Sequence, residues 1–537
     1  MDRTDTRSGR GKTMMNMLAI RVIAAMAVVL FGVGSLGAQV QVRTEAGLVA
    51  GANSADGKVV IFKGIPFAAP PVGELRWKEP QPVAPWKGLR KATEFGARCM
   101  QARIYEDMVF RDVGPSEDCL YLNVWTPGIS AKTKRAVMVW IYGGGFQAGA
   151  TSEPRQDGEH LAHKGVVIVS INYRLGIFGF FSHPGLTAES PHHASGNYGL
   201  MDQAAALEWV RKNITAFGGD PNNVAIFGES AGSFAVSALM ASPLSKGLIR
   251  AAIGESGAFF GETLSAKRLT ESERRDAVFA ESLGLKSVAQ LRRVSAEKLL
   301  EATRSADDTY RFVPNIDGYF MPASAYEIYA NGEQAHIPLM AGWNRDEGSY
   351  QQFFGKDEVN KENYAAKIRQ TFGKAAAEAL KLFPGGSDEE VKSSAALLNT
   401  ADFIAFGTWK WMEMHRQTGQ TPVYRYGFDQ VPLPSEGHAA EAGLAYHSAE
   451  IEYVFGTLDW KKIPWRPEDY KLSEEMGTYW TNFAKAGNPN GAGLAEWPKY
   501  ERKNGYQVMH LAPAPRALPD TKREQFLFLD KTLAKVN

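Results

Sequence analysis

Five consecutive residues, Gly228-Glu229-Ser230-Ala231-Gly232, have the types and spacing to carry nucleophilic chemistry. A serine hydroxyl attacks poorly unless it is held exposed beside a base. The run Asn223–Phe227 ahead of the motif reads as a strand, and Ala231–Met240 behind it reads as a helix. A sharp strand-to-helix turn would present the hydroxyl, and small flanking residues tolerate the crowded backbone. The helix start would also aim an N–H and a positive dipole end at developing negative charge. In a chain with 53 glycines the pentapeptide is equally compatible with an ordinary Gly-rich turn. The strand before it and the helix after it favour a nucleophile elbow.

A second stretch supplies what such a serine would need. The strand Ala136–Tyr142 runs directly into Gly143-Gly144-Gly145-Phe146. Ester hydrolysis builds an alkoxide in the transition state, and consecutive glycines can turn several N–H groups toward one point. Gly144 and Gly145 are the expected donors, with the Ala231 N–H as the third. Losing one such donor typically costs about 3 kcal/mol of transition-state stabilisation. No metal or cofactor is called for. The histidines form no HExxH pattern, and two cysteines cannot make a structural zinc site alone. His192-His193 sits in a polar loop, and His160 and His163 read as a solvated helix face.

The elements that must position these residues follow from the apolar pattern. Short β-branched runs recur at Ala136–Tyr142, Val166–Tyr173, Asn223–Phe227, Ala251–Ile253, Ile337–Ala341 and Val423–Phe428, separated by helical patterns. Continuous apolar strands suit a sheet covered on both faces, and strand-helix-strand order implies a mostly parallel, doubly wound α/β sheet. Residues 264–300 are charged and helix-patterned, so they read as an insertion covering the sheet. Arg274, Arg275, Arg292 and Arg293 are expected on its wet faces. No repeat or linker divides 39–537, which reads as one large domain.

Composition narrows the partners. Lys plus Arg is 60 against 59 for Asp plus Glu, a formal charge of +1, with no basic tail. The attraction to phosphate backbones that drives nucleic-acid binding has nothing to act through, so neutral small molecules are the expected substrates. Arg3, Arg7, Arg10 and Lys12 precede an apolar run, Val22–Val33, and small residues at Ser35–Ala38. That order reads as a secretory signal over 1–38, with the mature chain beginning near Gln39 and a secreted or periplasmic destination. Met14, Met15 or Met17 is an alternative start. An uncleaved anchor is the competing reading, though the run is short for a span of about 20 residues. No Cys follows Leu36-Gly37-Ala38, which argues against a lipid anchor. In an exported protein the isolated pair Cys99 and Cys119 reads as one disulfide, the alternative being two unrelated buried thiols.

Beyond these two motifs, the chain resembles the type-B carboxylesterase/lipase family. The resemblance spans nearly all of 39–537: the loop Gly64–Gly73 leading to Leu75-Arg76-Trp77, then Ser116-Glu117-Asp118-Cys119-Leu120-Tyr121-Leu122-Asn123, Trp140–Phe146, Asn172-Tyr173-Arg174, Phe217–Pro221 and Phe227–Gly232. It implies the α/β-hydrolase fold with helical insertions over the active site. It also implies a triad of Ser230, Glu347 and His447, in the chain order of that fold. Asp346 is as acidic as Glu347, and the residues alone leave the two open; the block Asn344–Gly348 matches the family at Glu347. His447 lies in the matching block Tyr446–Ile451. Glu450 and Ser256 match positions that support the histidine through hydrogen bonds. The family pairs cysteines where Cys99 and Cys119 lie, and Arg76 and Glu117 match a salt bridge.

The implied activity is hydrolysis of carboxylic esters through an acyl-serine intermediate. Two departures stand out. Tyr142 replaces the His that precedes the glycines in many lipases. Residues 100–118 contain no Trp, the best ring for a choline ammonium, so acetylcholine hydrolysis is not expected. One alternative is a non-catalytic adhesion relative, which would lack a triad member that this chain keeps. Another is an esterase specialised for bulky aromatic or polyester substrates.

Overall fold

Strands that are covered on both faces need apolar side chains on both, and the central strands of this chain are apolar without alternation. All five residues of Val167–Ile171 are buried, as are all five of Ala251–Glu255. The computed structural model describes residues 39–305, 311–434 and 443–533; the expected signal segment, 1–38, lies outside them. Within the unit 42–537, the main sheet contains, in chain order, β1 (Leu48–Asn53), β2 (Val60–Pro66), β3 (Tyr121–Thr126), β4 (Arg135–Ile141), β5 (Val167–Ile171), β6 (Gly219–Glu229), β7 (Ala251–Glu255), β8 (Leu339–Asn344), β9 (Val423–Phe428), β10 (Gln507–Leu511) and β11 (Arg516–Pro519). Their spatial order is β1-β2-β3-β5-β4-β6-β7-β8-β9-β10-β11.

From β5 across to β10 every neighbouring pair is parallel. The flanking strands are antiparallel, β1 to β2, β2 to β3, β3 to β5 and β10 to β11. This is the mostly parallel α/β sheet that the pattern predicts. Helices lie on both of its faces, as two adjacent residues of β7 reveal. A Cβ on Gly254 would meet Ser233 of α1 (Ala231–Ala241) at 2.8 Å and Trp411 of α2 (Phe406–Thr418) at 2.2 Å. Its neighbour Glu255 instead accepts a 2.8 Å hydrogen bond from Trp480 of α3 (Pro467–Ala486). Successive strand residues face opposite sides, so α1 and α2 cover one face and α3 the other.

Besides β1, β2, β10 and β11, which lie outside the six apolar runs, three elements depart from that reading. The strand β3 escaped it because Asn123 and Thr126 interrupt the run; both are buried and bonded, Asn123 donating to Ser170 Oγ at 3.0 Å and accepting from the Gly64 N–H at 2.9 Å. The strand β6 is longer than Asn223–Phe227 and runs up to the motif serine. The insertion 264–300 forms three helices, Leu269–Ser282, Val288–Arg293 and Ala296–Ser305. One of its arginines corrects the expectation of wet faces: Arg292 is buried, because its guanidinium donates to Glu189 at 2.8 Å and to the Arg76 carbonyl at 3.1 Å.

Arg76 is itself a buried tie. It pairs bidentately with Glu117, at 2.6 and 2.5 Å, and donates to the Val294 carbonyl at 2.7 Å. It thereby joins the loop after β2 to the insertion. Cys99 and Cys119 form a disulfide across a separation of 20 residues. Among the described residues no helix is long and apolar enough to cross a membrane. Replacing both cysteines by serine should cost about 3 kcal/mol in the chain-entropy account. The readout is the midpoint of urea denaturation, and an unchanged midpoint would contradict a structural role for the bridge.

Candidate active site

Parallel register gathers distant residues at one edge of the sheet. Gly228 of β6 pairs with Ile141 at the end of β4, Glu229 pairs with Glu255 at the end of β7, and Glu255 pairs with Gly342 of β8. Chain leaving β4, β6, β7 and β8 therefore emerges side by side, at the C-terminal edge where α/β sheets place their sites. Ser230 occupies the turn from β6 into α1 with φ 53° and ψ −123°. A non-glycine residue rarely adopts this backbone, and it is held by the Ser230 N–H donating to the Glu255 carbonyl at 2.8 Å. The glycines of the motif have a steric reason. A Cβ on Gly232 would lie 1.9 Å from the Ile141 carbonyl oxygen, and one on Gly228 would lie 2.6 Å from the same atom.

His447 is brought to this turn. Its Nε2 lies 3.0 Å from Ser230 Oγ, and its Nδ1 lies 2.5 Å from Glu347 Oε2. The second carboxylate oxygen, Oε1, accepts from Ser256 Oγ at 2.5 Å and from the Asn344 N–H at 2.8 Å. Glu347 is thus fixed at both oxygens, its side chain fully inaccessible, while the His447 side chain keeps 29% of its surface. Asp346 points elsewhere: it pairs with Arg345 at 2.7 Å and accepts from the Ala445 N–H at 2.8 Å. Of the two acidic neighbours left open by the residues, only Glu347 hydrogen-bonds the imidazole.

Ser256 and Glu450 do not hydrogen-bond the ring itself. Both ring nitrogens already have partners, so Ser256 acts on Glu347, and Glu450 accepts from Asn344 Nδ2 at 2.5 Å. Asn344 also donates to the Tyr446 carbonyl at 2.7 Å, which ties the histidine loop to the end of β8.

The glycine turn packs on the serine turn: a Cβ on Gly143 would lie 2.9 Å from Ser230 Cβ. Gly144, at φ 101°, leaves no room for a side chain, since a Cβ there would lie 2.2 Å from the Ala148 carbonyl oxygen. Among the described residues no acceptor takes the N–H of Gly144, Gly145 or Ala231. Tyr142 ahead of the glycines stacks on Tyr173 with ring centroids 4.5 Å apart, and the Tyr173 hydroxyl donates to the Tyr142 carbonyl at 2.7 Å. An aromatic stack braces this turn.

Several residues at the site had no separate signal in the sequence. Glu229, inside the motif, reaches within 3.2 Å of His447 Nε2. Glu255 lies beneath it, and Phe403 meets the imidazole edge-on with centroids 5.2 Å apart. Phe403 belongs to a wide helical turn, Ala401–Ala405, of the kind that recurs at functional sites. The variable position of the G-x-S-x-G motif was the available cue for Glu229; nothing marked Phe403.

Electrostatics around His447 are unusual. Burial pushes Glu229 up to about 7, against the pull of His447, and pushes Glu255 up to about 8, against the Trp480 hydrogen bond. Burial, with the other carboxylates, raises Glu450 well above the ordinary range. For His447, burial disfavours the imidazolium, but the charges of Glu229 and Glu347 outweigh it and hold its pKa above the usual value. Away from the site, Asp56, Glu159 and His163 bring potential metal-ligand atoms within 4.8 Å of one another, but at the surface and with Asp56 already held by Ser54 and the Lys58 N–H. A cleft of about 1080 Å³ lined in part by Phe259, Phe260 and Asp402 does not include Ser230 or His447 in its walls.

Residues 38–528 match the family described as the carboxylesterase family. The chain is 38% identical over 484 residues to fumonisin B1 esterase of Sphingopyxis macrogoltabida, covering 86% of this chain and 84% of that protein. It is 36% identical over 489 residues to para-nitrobenzyl esterase of Bacillus subtilis (strain 168), covering 88% and 95%. Among solved structures, Geobacillus stearothermophilus carboxylesterase EST55 is similar with TM-score 0.77 and 32% identity, over 90% of this chain and 98% of that one.

The charge arrangement has a measurable consequence. A base must be neutral to accept a proton, so with His447 in that role activity is expected to fall on acidification. Because carboxylates raise its pKa, the acid limb of kcat/KM should lie above the ordinary value of about 6.5. Glu229→Gln removes one of those charges and should move the limb to lower pH by roughly half a unit or more. A limb that stays in place would show that Glu229 carries no charge beside the imidazole.

Proposed function

The chain belongs to the carboxylesterase family and is a carboxylic-ester hydrolase; from that premise we propose that Ser230, His447 and Glu347 carry the reaction through an acyl-serine intermediate. His447 Nε2 takes the Ser230 proton as Oγ attacks the ester carbonyl carbon. The resulting alkoxide is received by the N–H groups of Gly144, Gly145 and Ala231. His447 then returns the proton to the departing alcohol, and the acyl group remains on Oγ. Water enters, loses its proton to His447, and attacks the acyl carbon in turn. The carboxylic acid departs as Ser230 regains its proton. Glu347 keeps its charge throughout, orienting Nδ1–H and stabilising the imidazolium.

One observation carries this reading: the unbroken line of contacts from Ser230 Oγ to His447 at 3.0 Å and on to Glu347 at 2.5 Å. The partial exposure of His447, against the complete burial of the Glu347 side chain, supports it further, because substrate must reach one end of the line and water must be kept from the other. Relatives named for fumonisin B1 and for para-nitrobenzyl esters support an ester bond as the target rather than one particular ester.

Export completes the proposal. A basic stretch, an apolar run and small residues precede residue 39, and the disulfide suits an oxidising compartment.

Ser230→Ala should abolish turnover of p-nitrophenyl butyrate while leaving the circular dichroism spectrum unchanged. Retained turnover would reject Ser230 as nucleophile. On expression of the full chain in a bacterial host, N-terminal sequencing of the periplasmic product should begin near Gln39. Cytoplasmic retention of the uncleaved chain would reject export.

A further inference from the structure

An arginine stands at the oxyanion turn with no counter-charge assigned to it. A Cβ placed on Gly145 would lie 3.3 Å from the Tyr105 hydroxyl and 3.4 Å from Arg311 Nη1, so both side chains stand directly over this glycine. Tyr105 and Arg311 are hydrogen-bonded to each other, and Tyr105 comes from the loop bounded by Cys99 and Cys119. Arg311 is exposed, and among the described residues it forms no ion pair. Its position is nonetheless built. The next residue, Phe312, is buried and packs on Phe181 and Phe279. Gln147 Nε2 donates to the Phe312 carbonyl at 2.7 Å and to the Gly145 carbonyl at 3.3 Å. One side chain therefore staples the Arg311 segment to the glycine turn.

We propose that Arg311 selects esters that carry a free carboxylate a few atoms from the scissile carbonyl, such as half-esters of dicarboxylic acids. This deepens the reading above and rests on it, since the distance that matters is measured from the oxygen held by Gly144, Gly145 and Ala231. Bond lengths and hydrogen-bond distances place that oxygen at most about 9 Å from the guanidinium. A glutaryl chain with one charge-assisted hydrogen bond covers the span. A guanidinium suits the task because its planar fork matches a carboxylate bidentately, which an ammonium does not. The neighbouring Glu229 sharpens the choice: a second negative group is repelled unless it lands on the arginine, so the acid must lie on the Gly145 side of the scissile bond.

The test compares two esters of matched length, monomethyl glutarate and methyl valerate, by pH-stat titration of wild type, Arg311→Gln and Arg311→Lys. In wild type kcat/KM for the glutarate should equal or exceed that for the valerate, with the glutarate advantage fading at high salt. Arg311→Gln should lower the glutarate-to-valerate ratio by about 10- to 100-fold, the range expected for loss of a charge-assisted hydrogen bond. Arg311→Lys should restore part of it. A ratio unchanged within twofold in Arg311→Gln would overturn the proposal, including the case where both esters fall together because the arginine only offsets the field of Glu229. Loss of this selectivity leaves Ser230 chemistry intact on methyl valerate. Wild type inactive on both esters would instead count against the hydrolase mechanism itself.

Discussion

A methyl group on Gly232 would sit 1.9 Å from the carbonyl oxygen of Ile141, and the rest of the site depends on that close approach. It brings the first turn of α1 against the end of β4, and so sets the Ser230 turn beside the glycine turn that leaves the same strand. The parallel register of β4, β6, β7 and β8 does the remaining work. It places Ser256 and Glu347 at the same edge, although Glu347 and Ser230 are separated by 100 and 217 positions from His447. Backbone strain is concentrated here too: Phe146, Ser230, Ser256 and Ser448 all adopt positive φ. Four such residues at one edge fit the tendency of strained backbone to collect where a protein holds reactive groups in place.

Around a single imidazole the fold buries four glutamates, Glu229, Glu255, Glu347 and Glu450. Four charged carboxylates could not coexist there without large repulsion. Among the described residues only Glu347 of the four has both oxygens hydrogen-bonded, Oε1 by Ser256 and the Asn344 N–H and Oε2 by the ring. Glu255 and Glu450 each have a buried oxygen with no partner among the described residues, and burial favours their protonated forms. Their environments differ, and Glu347 is the one of the four that hydrogen-bonds His447 Nδ1. That division is how one site can hold an imidazole poised for proton transfer among so many acids.

Much of this was legible in the sequence, and the limits were physical. The serine and the glycine turn could be read from their own residues, because tight turns restrict residue type locally. The central strands were legible as apolar runs. By contrast, β3 was hidden because a buried asparagine satisfies its own hydrogen bonds inside the sheet. Arg292 was placed wrongly because composition does not reveal an internal partner such as Glu189. Glu347 and His447 were identified by family resemblance rather than spacing, since residues that meet only through tertiary register leave no local pattern. Phe403 and Arg311 belong to that same class.

The central claim is that an alkoxide formed on Ser230 is held by three backbone N–H groups while His447 shuttles its proton. The most direct measurement is a crystal structure of the enzyme after reaction with a phosphonate ester, whose tetrahedral phosphorus stands in for the reacting carbon. The account expects phosphorus bonded to Ser230 Oγ. It also expects one phosphoryl oxygen within hydrogen-bond distance of the Gly144, Gly145 and Ala231 nitrogens, and His447 facing the leaving-group side. Phosphorus bonded elsewhere, or on Ser230 with its oxygen turned away from all three amides, would contradict it.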